Sequence, residues 1–363
     1  MGIWVWKPSF ERGAIVRVES RAWRSVSRWV MLVLALVSGD GWSGDSPARA
    51  GGCDGIVALP VVDSRSRYAL FDVLAFQRDN EAAARSLVND SVTGDTLLAT
   101  GDLAAATAIG GRLFVGERST DGWGREAGYF GVYGMTAADR LAGDANLVMA
   151  GPISSQILPF GDGDSVRSTW VSTINSAEFN AFLTRINGDS FFDLLAGFRY
   201  LSLEEQAAMT FTCCSTGPTP PLTSSYAVQS SNNLFGGQIG TRGRRSWDRW
   251  AVEGWAKAGV FGNVESQSQG ALVDPSGVGT VVRTARGSRA TETAFVGDIN
   301  ASLIYRLTSV WGIRAGYNLI WIDGVALAPD QWDFGTQTNA GTSLVGGGGV
   351  FLSGANLGLE ARW

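Results

Sequence analysis

The stretch Trp311-Gly312-Ile313-Arg314-Ala315-Gly316-Tyr317-Asn318-Leu319-Ile320-Trp321 alternates with a period of two. Trp311, Ile313, Ala315, Tyr317, Leu319 and Trp321 share one face, and Gly312, Arg314, Gly316 and Asn318 share the other. Successive side chains of a strand point to opposite sides, so this is a strand with one apolar and one polar face. Its terminal tryptophans are ten residues apart. At ~3.3 Å per residue and a tilt of about 40°, they stand roughly 25 Å apart along a membrane normal. That is the height of the apolar band between the aromatic girdles of outer-membrane barrels.

Three other stretches repeat the pattern. Phe295, Gly297, Ile299, Ala301, Leu303 and Tyr305 face one way, against Asp298, Asn300, Ser302 and Arg306. Trp250, Val252, Gly254, Ala256, Ala258 and Val260 oppose Glu253, Trp255 and Lys257; Phe192, Leu194, Ala196, Phe198 and Tyr200 oppose Asp193 and Arg199. A soluble sandwich also alternates, but it shows water a charged face and uses shorter strands.

Strands are expected near 68–77, 111–118, 123–133, 170–185, 191–205, 226–241, 248–263, 291–307, 311–323 and 351–363. Short links (Ser119–Gly122, Ile186–Ser190, Arg242–Trp247, Thr308–Val310) alternate with long ones such as Gln206–Ser225 and Gly324–Val350. Outer-membrane barrels have short periplasmic turns and long extracellular loops. The chain is therefore expected to be an all-β, antiparallel, up-and-down transmembrane β-barrel with both termini periplasmic. It has ten strands, or twelve if the Thr96–Leu103 region adds a pair.

The ends of the chain fit export. Arg12, Arg17, Arg21, Arg24 and Arg28 precede the apolar run Trp29 to Val37, and Ala48-Arg49-Ala50 is a small-x-small cleavage site. Residues 1–50 are expected to be a signal peptide, 51–67 a periplasmic segment and 68–363 the barrel. The last strand alternates to its final residue, with Trp363 on the apolar face, as the signal read by the barrel-assembly machinery would require. The leader holds seven of the 29 basic and four of the 34 acidic residues, so the remainder nets −8. That acidity argues against a nucleic-acid partner. Beyond the leader no run of 18 apolar residues occurs, which excludes helical spans.

Several blocks resemble the putative β-barrel porin 7 family of planctomycete-type outer-membrane barrels. They include Leu195-Ala196-Gly197-Phe198-Arg199-Tyr200, Val325-Ala326-Leu327-Ala328-Pro329-Asp330-Gln331 and Gly354-Ala355-Asn356-Leu357-Gly358-Leu359-Glu360-Ala361-Arg362-Trp363. Ser353 stands where many relatives carry a histidine. The resemblance implies an outer-membrane barrel and no particular substrate.

The chain contains no histidine, which closes the histidine-dependent mechanisms of enzymatic barrels. Glu204 and Glu205 read as solvated charges at a strand rim. The cluster Gly346–Gly349 opens a strand and lacks the lysine of a phosphate loop. No cofactor or metal is implied. Cys53, Cys213 and Cys214 permit one internal bridge of unspecified pairing, with a loop bridge favoured over metal or redox chemistry.

The candidate lumen residues are Arg199, Glu253, Lys257, Asp298, Arg306 and Arg314. They form either a salt-bridge network filling a narrow barrel or a selectivity constriction. Two functions follow: porin-like passage of a small solute or ion, or a non-conducting structural or adhesive barrel with working extracellular loops. The expected partners are outer-membrane lipid, the assembly machinery and a small permeant.

Overall fold

The computed structural model describes residues 66–80, 82–214 and 220–363. The export signal, its cleavage motif and Cys53 lie outside the described residues. Ten strands form the barrel: β1 Ser66–Asn80, β2 Ala108–Arg118, β3 Trp123–Met149, β4 Gly163–Asn187, β5 Ser190–Cys213, β6 Leu222–Trp247, β7 Trp250–Gln269, β8 Arg286–Arg306, β9 Trp311–Val325 and β10 Gly348–Arg362. Every neighbouring pair is antiparallel, and β1 pairs with β10 from Tyr68↔Arg362 to Asn80↔Val350, closing the ring at the two ends of the described chain. Closure leaves no unpaired sheet edge, as a wall facing hydrocarbon requires.

The turns at one end are tight. Gly188-Asp189 joins β4 to β5 and Asp248-Arg249 joins β6 to β7, with positive φ at Gly188 (56°) and Asp248 (46°). Two-residue hairpins need that left-handed backbone, which glycine and aspartate tolerate best. This is the periplasmic end by the length rule.

Two expected links are strand instead. Residues 242–247, taken above for a turn, complete β6, and most of 206–225 belongs to β5 and β6. The physical reason is an inversion of polarity along each long strand. On β5 the outward residues run Leu194, Ala196, Phe198, Tyr200 and then Glu204, Gln206; the inward ones run Asp193, Arg199 and then Leu201, Leu203, Met209. The parity is unbroken while its chemistry reverses. Below the change the wall faces lipid; above it the wall faces water and encloses a conventional apolar core.

The Thr96–Leu103 region does contain a strand. Thr96–Ala99 forms a hairpin with Ser86–Asp90, and Val88 pairs with Met149 beyond the point where β2 has ended. It extends the wall upward and adds no member to the ring. A separate hairpin, Leu272–Asp274 with Thr280–Arg283, crowns the β7–β8 loop.

Candidate functional site

The periplasmic half of the lumen is filled by a web of paired charges. Arg112 donates to Asp72 at 2.6 and 2.9 Å and to Asn318 at 2.7 Å. Arg314 lies between Asp72 (3.2 Å) and Glu253 (3.6 Å) and donates to Ser302. Glu253 also meets Arg244 and Arg362, and Arg244 makes a two-point contact with Glu360 at 2.7 and 3.0 Å. Across the lumen, Arg242 bridges Glu126 and Asp193, and Arg118 reaches Asp193. Strand parity aims these groups inward, where each finds an opposite charge from another strand. Burying these charges is costly, so removing one member of a pair would leave its partner charged and uncompensated.

Five of the six candidate residues sit inside this web. Arg199, Glu253, Lys257, Asp298 and Arg314 are each no more than 6% exposed. Arg199 is paired with Asp298 (3.3 Å), which also accepts the Trp255 indole N–H at 3.0 Å. Lys257 pairs with Glu178, and not with Glu253 on its own strand. Arg306 is the correction: it keeps inward parity but lies exposed on the periplasmic rim, donating to the Asp248 carbonyl. The strand ends there, so nothing encloses it. There it lines a vestibule of about 270 Å³ with Arg118, Arg244, Glu360 and Arg362. Trp363 is exposed on the outside, its backbone bonded both ways to Arg67.

The extracellular half is closed differently. After β9 the chain turns inward, and Val325–Gln331 is buried together with Trp332 (1% exposed). The wall holds this segment by its backbone. Asn232 accepts the Ala326 N–H (2.7 Å) and donates to the Ala326 carbonyl (2.9 Å). Glu205 accepts the Ala328 N–H at 2.8 Å, and Gln269 donates to the Gln331 carbonyl at 2.6 Å. The Trp332 indole donates to the Tyr226 carbonyl, and Arg85 caps the segment through the Pro329 and Trp332 carbonyls. Leu327 and Trp332 pack into one core with wall residues such as Trp170, Leu203, Val228, Ile320 and Leu352. Two voids within the web are about 10 Å³ each, room for a single water at most.

Glu205 is the residue that sequence reasoning misplaced most. It is fully buried, ion-paired with Arg78 and bonded to the plug, while Glu204 beside it is exposed as expected. Parity was the available signal: Glu205 shares the face of Arg199 and Leu203. Arg242 and Arg244 were missed because the end of β6 was taken for a turn. Among the described residues the vicinal thiols Cys213 and Cys214 form no bridge with each other; Cys213 is buried inward and Cys214 takes a left-handed φ of 63°.

The model of the family described as "Putative beta barrel porin-7 (BBP7)" matches residues 77–352. The chain belongs to this family. As a member of the porin-7 family it is an outer-membrane β-barrel, and the match spans the plug and most of the charged web, with Asp72, Glu360 and Arg362 beyond its ends. No curated protein matches the chain. Among solved structures it is similar to the outer membrane protease OmpT from Escherichia coli, 12% identical over 83% of this chain and 97% of that one, with a TM-score of 0.45. It is also similar to a major outer membrane protein from Thermus thermophilus, 10% identical over 82% and 99%, with a TM-score of 0.32. The P. putida toluene transporter TodX is 11% identical over 83% and 90%, with a TM-score of 0.25.

Proposed function

We propose that this barrel gives porin-like passage to a small solute or ion only when its plug withdraws and the charged web beneath it parts, and that the structure described is the closed state. One observation carries the reading: Val325–Trp332 enters the extracellular mouth as a discrete segment, held by a few side-chain bonds to its backbone. Beneath it the lumen is lined by charges and asparagines, a surface suited to hydrated permeants. The partners are then outer-membrane lipid, the assembly machinery and the permeant itself. The protein is not an enzyme in this reading, since a chain without histidine would need another base and the carboxylates of the charged web, such as Asp72, Glu178 and Glu253, are held by arginines and a lysine.

A second reading, a non-conducting barrel with working outer loops, is favoured by the web itself, which spans the lumen below the plug with voids of only about 10 Å³. Planar-bilayer conductance separates the two. The wild type is expected to be silent or to open rarely, and a variant with residues 326–334 replaced by a glycine-serine linker should open more often, in brief steps set by movement of the web. Silence from a correctly folded plug-less barrel would discard gated passage in favour of the second reading.

A further inference from the structure

A broad concavity lies outside the lumen. A trough of about 850 Å³ crosses the outer wall over β4 to β8, in the extracellular half. Cross-strand pairing puts Thr173, Glu204, Ser231, Ser266 and Arg289 in one row. The row above it is Val171, Gln206, Gln229, Ser268 and Gly287. All of these face outward, and the volume is within the range of small-ligand sites. In the lower row Ser231 and Ser266 make the floor, between Glu204 on one side and Arg289 on the other.

Its height is fixed by the lipid belt. Tyr200 and Phe235 form an outward ring pair with centroids 4.8 Å apart. Glu204 and Ser231 lie four residues beyond them, ~13 Å further along the strands. A polar chain links the two levels: Tyr200 donates to Asn233 at 2.7 Å, and Asn233 donates to Ser231 at 3.3 Å. The trough therefore opens at the level of the membrane's outer headgroups and the sugars above them.

We infer that the trough binds the sugar headgroup of an outer-leaflet glycolipid. Hydroxyl and amide side chains each offer both donors and acceptors, the complement of a polyol. Among the described residues, Thr173, Glu204, Gln206, Gln229, Ser266 and Arg289 have no side-chain hydrogen-bond partner within the protein, so their capacity is available to a ligand. A protein partner would want an aromatic or aliphatic anchor, and the trough offers only Val171. A bare phosphate would want clustered cations, and here Arg289 is opposed by Glu204. The inference stands independently of whether the lumen conducts.

Native mass spectrometry of the full barrel released from detergent tests it. The probes are a lipopolysaccharide carrying its core sugars, the same oligosaccharide cleaved from its lipid, and phosphatidylglycerol. The wild type should retain the glycolipid. Ser266→Phe, which fills the floor from the water side, should weaken retention at least tenfold and leave phosphatidylglycerol unchanged. The double variant Gln206→Ala/Gln229→Ala adds no bulk, so it should give the same loss even if the phenylalanine disturbs folding, which heat-modifiable migration reports. Equal glycolipid retention by wild type and the double variant would overturn the site. Equal affinity for the free oligosaccharide would overturn the lipid assignment, and a dimer dissolved by Ser266→Phe would reassign the trough to a second copy of this chain.

Discussion

The lumen behaves as a network of matched charges, and single residues should show it. Lys257 faces Glu178, both buried. Removing one member of a buried pair strands the other charge, which typically costs about 3–5 kcal/mol, whereas removing both can be nearly neutral. Lys257→Ala should therefore lower stability strongly, and adding Glu178→Gln should restore much of it, as read from urea midpoints of the barrel folded in vesicles. A double variant no more stable than the single would mean that the pair is not a closed unit. Arg306→Ala should stay within about 0.5 kcal/mol, because its side chain sits exposed on the rim. In the plug, Trp332 is the side chain with most to lose. Trp332→Ala should cost about 3–5 kcal/mol in extracellular-half stability, measured by hydrogen exchange at residues 326–334. Unchanged protection there would show that the segment is held by its backbone bonds alone.

At the scale of the strand, the same outward face should tolerate charge at one height and reject it at another. Ala301 lies on the lipid face of β8 between Phe295 and Tyr305, with Leu303 exposed beside it. Arginine there should cost about 2–4 kcal/mol near the midplane. Ser266→Arg, also outward but above the belt, should cost little. Equal losses in vesicle refolding would mean that no boundary separates the two heights. Ser302, one residue on, would make a poor mild control, because it is buried and accepts a hydrogen bond from Arg314; a second arginine there would face the first. For β10, deleting Trp363 should block assembly and leave export intact, since the aromatic ends the closing strand on its lipid side. Normal membrane yield of the truncated chain would count against that role.

All ten ring strands were legible wherever an apolar outward face met a polar inward one, as in Trp311–Trp321. Their upper halves were not. The sequence Glu204-Glu205-Gln206-Ala207-Ala208-Met209 still alternates in space, but the outward template finds charges where it expects aliphatics. Reading the inward face instead, Leu201, Leu203, Ala207 and Met209 would have continued β5 to Cys213. The plug was equally silent, because its apolar residues carry no strand or helix period. Only the family resemblance drew the eye to Val325–Gln331.

The whole molecule is two kinds of protein sharing one wall. Its lower half holds polar groups inside and apolar groups outside; its upper half does the reverse and is completed by the loop that folds into it. The outward change from Tyr200 to Glu204 on β5, and from Phe235 to Ser231 on β6, amounts to a waterline painted on the hull. How deep the barrel rides is then a property of a few side chains rather than of the fold. One outward row is two residues, ~6.6 Å along a strand and roughly 5 Å along the normal. Mismatch between belt and bilayer costs only fractions of a kcal/mol per Å, so a single row of serine-to-leucine changes would deepen the draught by up to about that much and carry the loop crown toward the headgroups. How far the crown stands clear of the surface is thus adjustable in small steps, without altering a hydrogen bond in the ring.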